Sequence, residues 1–325
     1  YCSLFHQCIA GPIVRYKDVA REIEHRRPKI PEMGRGINRF TIGLVKKAVF
    51  ANSCAQIADT MLPEAIIPFN SVPALGLWLG ALMYMLQIYL DFSAYSDMAI
   101  GMGLMVGFHY KENFNYPYIS DTVTEFWRRW HISLSSFFRD YVYIPLGGNR
   151  KGAGRTIFNL FIVWALTGLW HGASWNFVLW GLYYFVFLVL EKRVLLNKLK
   201  NLPKAVGHIY TLIVVYFGWI IFKFTDLSRI GLMLKGMLGL NHNGFMNMEV
   251  AVTFKNNIFF IIVAVIACTP LAANGYKWMC RQCKTVVIFK YLRRVIEVAG
   301  PVVLLLLATM ALVGNSYNPF LYFQF

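Results

Sequence analysis

The sequence predicts an all-α integral membrane protein, a multi-pass helical bundle containing hairpin or re-entrant segments, and three observations carry that prediction. Hydrophobic residues make up 57% of the 325 positions and aromatic ones 16%, with a mean hydropathy of +0.48. That is too apolar for a soluble domain of this length. The apolar residues gather into runs near or above the ~20 residues that one helical crossing requires. Between the runs lie basic segments: Lys and Arg number 32 against 16 Asp and Glu, an excess that marks cytoplasmic loops. The charge is thus explained by a membrane, and no nucleic-acid partner is expected. Without a visible repeat, linker or soluble module, residues 1–325 read as one domain. The chain opens at Tyr1 with neither a methionine nor a charged leader, so it reads as the C-terminal part of a longer protein.

Residues 15–39 are basic, with eight Lys and Arg against four acids, and belong on the cytoplasmic side. Residues 40–58 form a modest span whose Lys46 and Lys47 could snorkel to headgroups, and residues 59–71 read as an outer loop. The apolar tract 72–108 exceeds one span but is interrupted by Asp91, Ser93, Tyr95 and Asp97. Because residues 111–155 are again basic, part of this tract is expected to kink, lie flat or re-enter. Asp91 with Tyr95, and Ser93 with Asp97, can share helix faces, as a polar lining or as a self-satisfied network.

Residues 121–141 read as one helix, capped by Asp121 or Ser120, with Thr122 and Glu125 at capping-box spacing. Its aromatic stripe carries His131, with Ser135 one turn on. A glycine-rich basic turn follows at 145–155, without the spacing of a phosphate loop. The tract 157–190 then has basic flanks at both ends, so it must enter and return. Residues 157–170 would rise only ~21 Å, which places His171 near the tip of an embedded hairpin. Further spans are expected at 209–224, 258–273 and 295–313, with 225–257 and 315–325 outside.

Chemistry is expected at His171 and His131, about 40 residues apart. An ionisable side chain at membrane depth is a functional candidate by default, and a neutral imidazole is the usual general base near neutral pH. Gly168, Gly172, Ala173 and Ser174 beside His171 would let a substrate chain approach. A hydrogen-bonded structural histidine and a transport relay with Asp91 or Asp97 are the other roles open to it. His6, His25, His109, His208 and His242 lie in loops or at membrane edges, where no chemistry is expected. Cys280 and Cys283 lack the further ligands of a zinc site, so all six cysteines read as reduced thiols and no metal is expected.

The segment WRRWHISLSSFFRDYVYIPLGGN at 127–149, followed by LWHGASW at 169–175, resembles the membrane-bound O-acyltransferase superfamily, and within it the bacterial alginate O-acetyltransferase branch. IAGPIVRY at 9–16 and NPFLYFQF at 318–325 are similar to that branch too, whose members carry additional N-terminal helices. The resemblance implies an essential His171 with His131 as its polar partner, both near a tunnel through the protein. It implies a cytosolic thioester donor, acetyl-CoA or an acyl carrier protein, with no resident cofactor. It also implies an extracytoplasmic transferase partner that accepts the acetyl group for a polysaccharide such as alginate, in the bacterial inner membrane with lipid around it.

On this basis His171 is expected to activate the acceptor hydroxyl and His131 to orient the thioester or stabilise the oxyanion; a covalent acetyl-histidine is the variant route. Trp127, Trp130, Trp170 and Trp175 are expected to line the site, and Ser135, Asn159 and Ser174 to supply hydrogen bonds. Peptidoglycan or another cell-wall polymer is the alternative acceptor, and a non-enzymatic export or assembly component is the competing class.

Overall fold

The computed structural model describes Leu4, residues 11–283 and residues 287–314. The expectations for Cys2, His6, Cys8, residues 9–10 and residues 315–325 lie outside them. Among the described residues every regular element is helical, and five helices are long and apolar enough to cross a membrane. The order is α1 (Tyr16–Glu24), α2 (Ile30–Val45), a π turn (Lys46–Ala51), α3 (Asn52–Met61), α4 (Ile66–Asn70) and α5 (Ala74–Met105). A short 3-10 turn leads to α6 (Val123–Arg129), α7 (Ile132–Phe138) and a π turn (Arg139–Tyr143). Then come α8 (Gly152–His171), α9 (Trp175–Leu190), a π turn (Glu191–Leu195), α10 (Leu196–Lys200) and α11 (Lys204–Lys223). The chain ends with α12 (Leu227–Met237), α13 (Met248–Ala267), α14 (Leu271–Gln282) and α15 (Val287–Val313).

The chain packs as two compact units. One gathers the described residues up to Gln56, Leu86–Phe114 and the described residues from Asn257 onward; the other comprises Ile57–Met85 and Asn115–Asn256. In the first unit α2 crosses α5 closely. A Cβ on Gly36 would lie 2.6 Å from the Gly101 carbonyl oxygen, and one on Gly43 2.7 Å from that of Ala94. Small residues at a crossing let backbones touch, the usual packing of membrane helices.

The structure corrects the reading of 72–108. α5 runs unbroken through Asp91 and Asp97, because its polar side chains are satisfied sideways. Lys47 pairs with Asp91 at 2.8 Å, while Lys46 and Arg39 converge on Asp97 at 2.8 and 2.7 Å. Asn113 donates to Ser96. No local bend is needed to shelter these groups. With 32 residues the helix is about 48 Å long, enough for one complete crossing, and the expected outer loop 59–71 holds the end of α3 and all of α4. Lys46 and Lys47 accordingly point at carboxylates rather than snorkelling to headgroups.

The second unit holds the hairpin. α8 begins at Gly152 rather than at Ile157, so it rises about 30 Å instead of ~21 Å, a full spanning length. The expected hairpin with His171 at its tip is present. Its arms touch where side chains are absent: a Cβ on Gly168 would meet the Phe177 carbonyl oxygen at 2.5 Å, and one on Gly181 would collide with that of Trp164. α11 packs beside α9, with Asn176 donating to the Phe222 carbonyl and Tyr183 to that of Val214.

Gly168→Val and Gly181→Val should therefore each force the hairpin apart, at a cost of about 1–3 kcal/mol. Gly154→Ala, where an added Cβ meets nothing within 4 Å, should be neutral or slightly stabilising. Thermal unfolding of the detergent-solubilised protein distinguishes them; equal midpoints for all three variants would contradict the close packing.

Candidate active site

The expected single helix over 121–141 is broken. α6 ends at Arg129, Trp130 is extended, and His131 adopts a left-handed backbone (φ 42, ψ 56) as the N-cap of α7. For a side chain other than glycine this costs on the order of 1–3 kcal/mol. In a continuous helix the Trp127 carbonyl would accept from the His131 amide. Here it accepts from the Ser135 hydroxyl at 3.2 Å. Ser135 thus closes the corner rather than lining the site, and the break turns His131 into a buried position, 6% exposed. Ser133 Oγ lies 3.3 Å from its Nδ1.

The start of α6 is held twice. Thr122 is the N-cap, accepting from the Glu125 amide at 3.0 Å, one residue later than Asp121 and two later than Ser120. From the far end of α9 the fully buried Glu191 accepts from the Val123 amide (2.6 Å), the Thr124 amide (2.8 Å) and the Thr124 hydroxyl (2.6 Å).

His171 ends α8. Gly172 follows with φ 150, and a Cβ there would strike the Phe177 ring at 2.9 Å, so the tip can turn only on glycine. The imidazole meets Trp180 edge to face at 5.1 Å and Phe222 at 5.2 Å. Trp180 also touches Trp127, four residues before His131, so the two histidine segments meet through one indole.

A cluster of packed rings lies beside His171 and Trp127. Trp127 contacts Trp164, Tyr184 and Trp180 at 4.7, 4.8 and 5.5 Å, all near-perpendicular. Trp130, expected as lining, is buried against Phe126 and, at 4.8 Å, Trp219. Nε1 of Trp127, Trp180 and Trp219 and the Tyr184 hydroxyl are buried without a hydrogen-bond partner among the described residues. Each such donor costs about 1–3 kcal/mol.

Other expected lining residues are elsewhere. Trp170 and Trp175 are 57% and 72% exposed. Trp170 shares the outer face of α8 with Leu166 and Leu169, about 100° of helix rotation from His171. Asn159 lies about 18 Å down α8 from His171, where its amide donates to the Gly148 and Leu146 carbonyls and fastens the glycine-rich turn. Ser174 is the α9 N-cap residue but makes no side-chain cap bond. Trp180, Trp219 and Phe222 were missed by the sequence reading, although Phe177, Trp180 and Tyr184 do recur at i, i+3 and i+7. Glu191 was missed too; its signal is an acid terminating a long apolar tract. Among the described residues no three His, Cys, Asp or Glu gather as a metal site would require.

The family model for MBOAT, the membrane-bound O-acyltransferase family, matches residues 1–234. The chain is 35% identical over 352 residues to the probable alginate O-acetylase AlgI of Azotobacter vinelandii, covering 100% of this chain and 69% of that one. It is 37% identical over 349 residues to the namesake from Pseudomonas putida, covering 100% and 68%. To the peptidoglycan O-acetyltransferase of Helicobacter pylori it is 37% identical over 247 residues, covering 74% and 46%.

Two predictions follow the geometry. Glu191→Ala strands two amides and a hydroxyl and should cost about 3 kcal/mol or more, with Glu191→Gln, which keeps one acceptor, in between; calorimetry in detergent gives the ranking. Trp180→Ala should destabilise by roughly 3–5 kcal/mol and exposed Trp170→Ala far less, and comparable losses would refute the assignment of inner and outer faces.

Proposed function

Because the chain belongs to the membrane-bound O-acyltransferase family, we propose that its chamber passes an acetyl group from a cytosolic thioester toward an extracellular polysaccharide of the alginate type. The reading rests on one observation above all: the His131 and His171 segments, distant in sequence, meet at Trp180, whose ring touches both His171 and Trp127. Relatives aligned over the whole chain carry the alginate name, which favours alginate over peptidoglycan as the polymer. The protein is then a multi-pass protein of the bacterial inner membrane. Its donor is acetyl-CoA or an acetylated carrier protein, and its partner an extracytoplasmic transferase that receives the group.

His171 removes the proton of the acceptor hydroxyl as that oxygen attacks the thioester carbonyl carbon. The new C–O bond forms, the C–S bond breaks, and the departing thiolate takes the proton from the imidazolium. His131 orients the thioester or steadies the negative charge that develops on its oxygen, and the unpaired indole N–H groups and the Tyr184 hydroxyl are donors suited to the same task. Excluding water from such a chamber strengthens these bonds and suppresses hydrolysis of the thioester.

In cells lacking the native gene, His171→Ala in the full protein should lower polymer-bound acetate by about 10²–10⁴-fold at unchanged membrane abundance. His131→Ala should be impaired less severely. Acetate released by mild base reports the outcome, and wild-type acetylation by His171→Ala would remove the mechanism.

A further inference from the structure

We propose that the open end of the α8–α9 hairpin binds one anionic phospholipid of the surrounding leaflet, its phosphate held by Lys192 and Arg193 and part of an acyl chain seated between the two helices. A cavity of about 150 Å³ lies there, walled on one side by Ile157 and Leu160 of α8 and on the other by Val189 of α9, with Lys192 and Arg193 at its rim. At ~30 Å³ per water it would hold some five waters, yet most of its wall is apolar and offers them little. The Thr156 hydroxyl, also in the wall, is already spent on the Gly152 carbonyl. A hydrocarbon segment suits such a wall better than water does.

The rim asks for an anion. Neither Lys192 nor Arg193 forms an ion pair among the described residues; Lys192 donates only to the neutral Asn149 side chain at 2.7 Å. The adjoining acid, Glu191, is turned inward onto the α6 amides. Partial desolvation at the rim, and then the charge of Arg193, hold the Lys192 ammonium below its usual pKa. A phosphate would relieve both effects, and the basic turn residues Arg150, Lys151 and Arg155 would add to the local potential.

Depth identifies the occupant. The exposed Phe158, Phe161, Val186 and Leu190 lead along both helices to the cavity, where the surface changes to exposed Lys192 and Arg193. That change is where headgroups sit. Thr156 is also about 22 Å along α8 from His171, so the site is separate from the proposed reaction chamber and the inference does not rest on it.

The test is native mass spectrometry of the intact protein released from bilayer nanodiscs of phosphatidylglycerol or phosphatidylcholine with matched chains. The wild type should retain one phosphatidylglycerol in preference to phosphatidylcholine, with the preference weakened by salt. The double variant Lys192→Gln/Arg193→Gln should lose about 30-fold of that preference, two cations' worth. Ala153→Phe, which fills the same cavity, should lower retention of both lipids. Equal retention of the two lipids by the wild type, or an undiminished preference in the double variant, would overturn the proposal. So would displacement of the lipid by an equimolar amount of coenzyme A, since the site would then belong to a nucleotide phosphate.

Discussion

One buried carboxylate governs the geometry of the histidine pair. Glu191, at the end of the helix that returns from the His171 tip, holds the first amides of α6, and α6 in turn delivers Trp127 and the His131 corner. Removing a carboxylate from water is costly, and only ionised-acceptor bonds to otherwise orphaned helix amides offset that cost. With those bonds made, α6 has a fixed start. The break after Arg129 then sets His131 against the hairpin.

What the pair meets is a chamber of rings rather than a polar pocket. Edge-to-face contacts around Trp127 and Trp180 fix the walls through many interactions of about 0.5–1.5 kcal/mol each. Among the described residues these rings leave three indole N–H groups and the Tyr184 hydroxyl without a partner. Surroundings of this kind magnify any hydrogen bond made within them.

The other unit solves a different problem. Its charges lie within apolar helices and are matched one against another, Lys47 with Asp91 and Lys46 and Arg39 with Asp97. A lone charge there would be expensive, but a matched pair lets α5 pass unbroken. Charge pairing and glycine crossings together join α2 and α5 with few large side chains between them.

Hydropathy and charge alternation in the sequence were enough to establish helices of membrane type and the hairpin with His171 at its tip. The Thr122–Glu125 spacing was legible, but the cap itself was expected one or two residues early, at Asp121 or Ser120. Three features needed the tertiary structure. The break at His131 depends on Ser135 reaching back to the Trp127 carbonyl, a bond that a helical pattern gives no reason to expect. The partners of Lys46 and Lys47 lie on another helix. Finally, Trp170 faces outward and Trp180 inward, although both occupy equally apolar surroundings in the sequence. Lipid is as apolar as a protein core, so periodicity defines the faces of a membrane helix, and only its neighbours decide which face is buried.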